Sequence, residues 1–150
     1  MKQRRKRPAR VRETPPGDAS QRTGRLLLDS HVWIWWRTLD PRMGPGTRAA
    51  ITTADDVYLS VASAWELAIK RQLGKLKIPR ELDLAAEFAR DGFVPVTITM
   101  EHALVAASLP PIHKDPFDRM LVAQARIEGL TLVTADPMLS RYDVPVLAAE

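Results

Sequence analysis

From residue 25 onward, short uniformly apolar runs alternate with longer segments whose apolar positions recur at helical spacing. Such alternation predicts βα units and a mainly parallel sheet with helices on both faces. Leu26-Leu27-Leu28 is a buried-strand candidate, followed by a helix over 31–39 that carries Trp33, Trp35 and Trp36. A turn-rich patch leads to a small helix over 47–53, a strand at 57–59 and a helix over 63–72. In this last helix Trp65, Ala68, Ile69, Leu73 and Leu76 share one face, which should dock on the sheet before Gly74 ends it. Helices over 81–90, 101–108 and 116–128, strands over 94–98, 130–133 and 144–147, and a short helix opened by Asp136-Pro137 complete the expected order. Pro95 argues for an edge strand, and Gly129 for the end of the helix before it. The implied fold is α/β, an α/β/α sandwich with a mainly parallel central sheet.

Length and composition narrow this further. With 150 residues and 45% apolar content the chain can bury one core. It has no cysteine, so disulfides and thiolate metal sites are excluded. No apolar run approaches the ~20 residues of a membrane span, and no secretion signal opens the chain, so a cytoplasmic location is expected. The net charge of +4 divides unevenly along the chain. Residues 1–25 hold nine Lys or Arg against Glu13 and Asp18, whereas residues 26–150 hold thirteen against sixteen acids. Two parts are therefore expected: residues 1–24, basic, proline-bearing and too poor in apolar side chains to fold alone, and a domain over 25–150. The basic run Lys2 to Arg7 could meet phosphates nonspecifically.

Four acids stand where an apolar run ends or a helix begins: Asp29, Glu66, Asp118 and Asp136. Each has a local structural explanation. Ser63-Ala64-Trp65-Glu66 fits a capping box, Asp115 can cap a helix with Pro116 at its first position and Asp118 in its first turn, and Asp29 and Asp136 can cap as well. Capping does not explain why several such ends should fall at one sheet edge, where parallel α/β folds bind ligands. Carboxylates a few ångströms apart repel by about 3 kcal/mol per pair at an effective dielectric near 20, so such a cluster calls for protonation or a divalent metal.

Leu26 to Trp33, Ser63 to Lys70, His113 to Ala125 and Leu132 to Asp136 occur in the order found in PIN-domain nucleases. The chain from Leu26 to about Leu147 resembles the VapC-type toxins of bacterial toxin–antitoxin pairs, and Asp115-Pro116-Phe117-Asp118-Arg119-Met120-Leu121-Val122-Ala123-Gln124-Ala125 is its most specific block. The resemblance implies a doubly wound domain whose acids bind one or two Mg²⁺ or Mn²⁺ ions and cleave RNA. Asp29, Glu66, Asp118 and Asp136 match the family's four acids. Asp118 rather than Asp115 is the third, because Leu121, Ala123 and Ala125 follow it at the family's spacing. Ser30, Thr134 and Asp115 would support the carboxylates, and Arg37 and Arg119 could contact RNA. A homodimer and a VapB-type antitoxin are implied as partners.

No general-base histidine is required by metal-assisted hydrolysis. His31 is expected at a helix start, His102 on a helix surface and His113 as loop support, while Lys70 can pair with Glu66 four residues before it. The tryptophans of the first helix are expected at a protein interface. Two other readings compete: a catalytically idle PIN-like protein that binds RNA or a partner, and a receiver-like phosphoacceptor domain. The second needs a lysine late in the chain, and the last one is Lys114.

Overall fold

The computed structural model describes residues 24–150. The basic segment expected over 1–24 lies almost wholly outside the described residues. Five strands form one parallel sheet: β1 (Arg25–Leu28), β2 (Asp56–Ser60), β3 (Val94–Val96), β4 (Thr131–Thr134) and β5 (Val146–Ala148), in the order β3-β2-β1-β4-β5. The helices are α1 (Ser30–Thr38), α2 (Pro45–Thr53), α3 (Val61–Gln72), α4 (Leu84–Arg90), α5 (Met100–Ser108) and α6 (Pro116–Glu128), with a 3-10 helix at Pro137–Arg141. The chain winds one way from β1 to β3, then crosses back to place β4 on the other side of β1. The strand order therefore reverses between β1 and β4, and in parallel sheets that point opens a crevice at the carboxyl ends of the strands.

The triple leucine is buried on both sheet faces, as a central parallel strand requires. Leu26 and Leu28 pack with Val32, Trp33, Trp35, Ile51 and Leu67, whereas Leu27 faces Leu121, Val122, Ala125 and Leu139. This alternation separates a layer of α1 to α4 from a layer of α5 and α6. Gly129, at φ +67°, closes α6 in the left-handed region that disfavours other residues.

Several expectations are corrected. Trp33 and Trp35 are core residues rather than an interface, and the Trp33 indole donates to Asp91 at 3.0 Å. α3 docks by Ala62, Ser63, Glu66 and Leu67, leaving Trp65 61% and Leu73 63% exposed. Its cap is Ser60, whose Oγ accepts from the Ala62 amide, so the capping box expected between Ser63 and Glu66 does not form. α4 starts later than expected because Asp83 caps it, and β3 stops at Val96, short of Ile98, though it is an edge strand as Pro95 suggested. His102 is 1% exposed rather than on the surface: it accepts the Thr99 amide on Nδ1 and meets Glu128 at 2.9 Å through Nε2. Among the described residues no helix is long and apolar enough to cross a membrane.

Candidate active site

The carboxyl ends of β1 and β4 bring Asp29 and Thr134 side by side. Asp29 caps α1, accepting the His31 amide on Oδ1 at 3.1 Å, and its Oδ2 accepts the Thr134 hydroxyl at 2.8 Å. Thr134 Oγ1 also accepts the Asp136 amide at 3.0 Å, so one hydroxyl ties the acid after β1 to the acid after β4. Ser30 Oγ lies 2.8 Å from Glu66 Oε1 and 3.3 Å from Asp29 Oδ1. A hydroxyl has a single proton, and the shorter contact to Glu66 takes it. Glu66, buried on the inner face of α3, also accepts Lys70 Nζ on Oε2 at 2.8 Å, the helical pair expected from their spacing.

The other half comes from α6 and the turn after β4. Asp115 caps α6, accepting the amides of Phe117 at 2.8 Å and Asp118 at 3.3 Å, and Pro116 begins the helix. Its carboxylate is a local cap. Asp136 caps the 3-10 helix through Oδ1, which accepts the Met138 amide at 2.9 Å. Between Asp118 and Asp136 stands His113, with Nε2 2.8 Å from Asp136 Oδ2 and 3.2 Å from Asp118 Oδ2.

Asp118 reports on the whole assembly. Burial pushes its carboxyl up to about 7, the charges of Asp29, Asp115 and Glu66 push the same way, and His113 opposes them. The fields of Asp29 and Glu66 thus reach Asp118, and Asp136 is joined to it through His113. The site's electrostatics fit a divalent cation. Facing carboxylate oxygens are the donors that Mg²⁺ and Mn²⁺ take, and the cost of ionising Asp118 beside its neighbours is one that a cation would relieve. One ligand atom each from His113, Asp118 and Asp136 lie within 4.8 Å of one another.

Both arginines expected as phosphate contacts are engaged within the fold. Arg37 pairs with Glu87 and Asp91 and lies over the Trp33 ring. Arg119 donates to the carbonyls of Ala106, Leu109 and Pro110 at 2.9 to 3.0 Å, closing the carboxyl end of α5. Both guanidiniums thus serve the fold. His113, expected only to support its loop, also stands between two of the four acids. Its one signal was its place two residues before the cap of the acid-bearing helix. Trp65 and Phe117, each one residue before a site acid, meet edge to face at 5.3 Å on the rim.

The PIN domain family model matches residues 26–145. Ribonuclease VapC22 of Mycobacterium tuberculosis is 35% identical over 125 residues, covering 80% of this chain and 93% of that protein. Among solved structures, VapBC2 from Rickettsia felis bound to a promoter DNA fragment is similar with a TM-score of 0.64 at 12% identity, covering 84% of this chain and 99% of that one. A toxin–antitoxin complex from Klebsiella pneumoniae is similar with a TM-score of 0.59 at 15% identity, covering 83% and 98%. At such identities the two structures show the fold alone.

Proposed function

The chain belongs to the PIN domain family, and on that premise we propose that it is a metal-dependent endoribonuclease serving as the toxin of a toxin–antitoxin pair. The receiver-like alternative falls with that membership. The ribonuclease assignment follows the VapC22 relative. The observation that supports the site is that Asp118, its carboxyl raised to about 7 by burial and by the charges of Asp29, Asp115 and Glu66, lies within 4.8 Å of His113 and Asp136 ligand atoms beside the crevice where the strand order reverses.

Hydrolysis joins a water oxygen to phosphorus and breaks one ester P–O bond. A bound divalent cation would supply Lewis acidity to the phosphate and to the attacking water. Asp29, Glu66, Asp118 and Asp136 are the residues that would hold it. Ser30 and Thr134 fix the carboxylate orientations through the hydrogen bonds described above, and Lys70 Nζ holds the second oxygen of the buried Glu66.

The partner follows from charge and from the relatives. The domain after residue 25 carries an excess of three acids, and its acidic crevice favours a basic side chain from a cognate antitoxin of the kind that accompanies the toxins in the Rickettsia and Klebsiella structures. A homodimer is the proposed form of the toxin itself. Residues 1–24, with their basic run, are proposed to add salt-sensitive contacts to RNA phosphates.

The test is cleavage of total RNA by the purified chain, freed of any partner, with and without Mg²⁺ or Mn²⁺. Wild type should cut only with the cation, and Asp29→Asn should lose at least about a hundredfold in rate while staying folded. Cation-independent cutting, or an active Asp29→Asn protein, would refute the site. No cutting at all would leave a PIN fold that binds without catalysis.

A further inference from the structure

His113 is anchored on every side. Its amide donates to the Tyr142 hydroxyl at 2.8 Å, and that hydroxyl donates to the Pro110 carbonyl at 3.0 Å. Its carbonyl accepts from Arg119 at 3.3 Å. The imidazole is therefore presented from a loop whose backbone is tied to a buried tyrosine and a buried-end arginine fork. The ring's two nitrogens then do different work. Nδ1 lies 3.0 Å from the Asp115 amide, which is a donor and nothing else, so Nδ1 must offer its lone pair. A neutral imidazole has only one such lone pair, and the hydrogen bond made by one nitrogen decides what the other can do.

We propose that His113 is a positioning residue whose Nε2–H yokes Asp118 to Asp136 and which stays outside the set of metal ligands. A ligating nitrogen needs a free lone pair, and at Nε2 that position holds the proton that Asp136 and Asp118 accept at 2.8 and 3.2 Å. Moving the proton to Nδ1 would set it against the Asp115 N–H, which is itself fixed by the cap of α6. Although a histidine and two aspartates in reach of one another resemble a zinc trio, this tautomer makes the donor set carboxylate oxygen alone. An all-oxygen set takes hard cations and gives Zn²⁺ no nitrogen. The yoke has a second effect: it joins the carboxylate on α6 to the one in the turn after β4, so the two are spaced before a cation arrives. The inference deepens the nuclease reading and rests on it for the cation, but not for the tautomer.

The tautomer is read by long-range ¹H–¹⁵N correlation on the full chain labelled at histidine nitrogen, free of metal, with His113→Gln supplying the assignment. The expected result is a proton on Nε2 and none on Nδ1, retained when Mg²⁺ and then Zn²⁺ are added. A proton on Nδ1, or loss of the Nε2 proton on adding either cation, would overturn the proposal. Calorimetric titration of Mg²⁺ gives the second readout. Gln keeps an N–H donor near the position of Nε2 but brings no imidazole nitrogen, whereas Ala keeps neither. Losing a hydrogen-bonding partner of a ligand commonly costs about 10- to 100-fold in metal affinity, so His113→Ala should bind at least about tenfold more weakly and His113→Gln within about threefold of wild type. Gln as weak as Ala would mean that the ring itself ligates, and Ala equal to wild type would mean that no yoke operates. Melting curves identify any variant that fails to fold, and the tautomer of the wild type decides in that case. Failure of the nuclease reading would appear instead as absent RNA cleavage, which the tautomer measurement does not involve.

Discussion

Replacing Asp118 by Asn should stabilise the metal-free protein, and by an amount that depends on pH. Asp118 is raised from 3.8 to about 7, chiefly by burial and next by the charges of Asp29 and Asp115. At 1.36 kcal/mol per pH unit, holding it ionised in the folded state costs about 4 kcal/mol relative to the unfolded chain. The direction follows from proton counts. Between about pH 4 and pH 7 the folded protein binds the proton that the unfolded chain has already released, so stability contributed by this group falls as pH rises through that window and is lowest above 7. Asn mimics the neutral acid and can still accept from His113 Nε2. The variant should therefore exceed wild type by up to about 4 kcal/mol at pH 8, with relaxation and water entry halving that figure, and by less than about 1 kcal/mol near pH 4. A gap of about 2 kcal/mol corresponds to roughly 5–10 °C in melting temperature for a domain of this size. The assay is calorimetric unfolding of both proteins in chelator at pH 4, 6 and 8, then at pH 8 with saturating Mg²⁺. The cation should raise wild type and not the variant, closing or reversing the gap, since only the ionised site gains from binding. Equal melting temperatures at pH 8 in chelator, or a gap that does not shrink toward pH 4, would refute the argument that Asp118 is held in repulsive company.

Two further substitutions test the struts around the acids. Lys70→Met removes the partner of Glu66 Oε2 and leaves a buried carboxylate half-satisfied; a loss of about 2 kcal/mol is expected in chelator, measured by urea unfolding, and a smaller loss in Mg²⁺. Arg119→Ala frees the carbonyls that end α5 and should cost about 3 kcal/mol by the same measurement, while RNA affinity at a temperature where the protein is folded stays within about twofold, because the guanidinium serves the fold rather than the substrate.

Strand β1 was readable from Leu26-Leu27-Leu28 because a central parallel strand is buried on both faces and shows itself as a continuous apolar run. The caps at Asp29, Asp115 and Asp136 were readable for a similar reason: a helix start demands an acceptor, and few residues supply one. α3 was misread at the point where chemistry overrides amphipathicity. Its buried face carries Ser63 and Glu66 beside Ala62 and Leu67, so the hydrophobic period points Trp65 inward although it lies exposed. His102 fails in the same manner, a polar side chain buried because its own cap and Glu128 satisfy both ring nitrogens. Arg119 and the Nε2 side of His113 were less legible, since the Ala106 and Leu109 carbonyls and the Asp136 carboxylate that they meet are brought near by the fold rather than by helical spacing.

The capping role of the acids and the catalytic role proposed for them are compatible in one arrangement. A carboxylate that caps a helix spends one oxygen on an amide and keeps the other free to turn toward the crevice. Asp136 shows this division, with Oδ1 on the Met138 amide and Oδ2 on His113, and Asp29 shows it with Oδ1 on the His31 amide and Oδ2 on Thr134. The amide bond fixes the carboxylate's rotation, so the second oxygen is aimed without any dedicated support. Asp118 differs because Asp115 already serves as the cap of its helix. Relieved of that task, Asp118 lies largely buried among other charges, and its carboxyl is pushed up to about 7. The asymmetry gives the site a division of labour: Asp29 and Asp136 hold position through their caps, and Asp118 carries an electrostatic cost that a cation would relieve. Moving the cap from Asp115 to Asp118 would thus trade reactivity for stability, which is a physical reason for two aspartates to stand three residues apart at the start of α6.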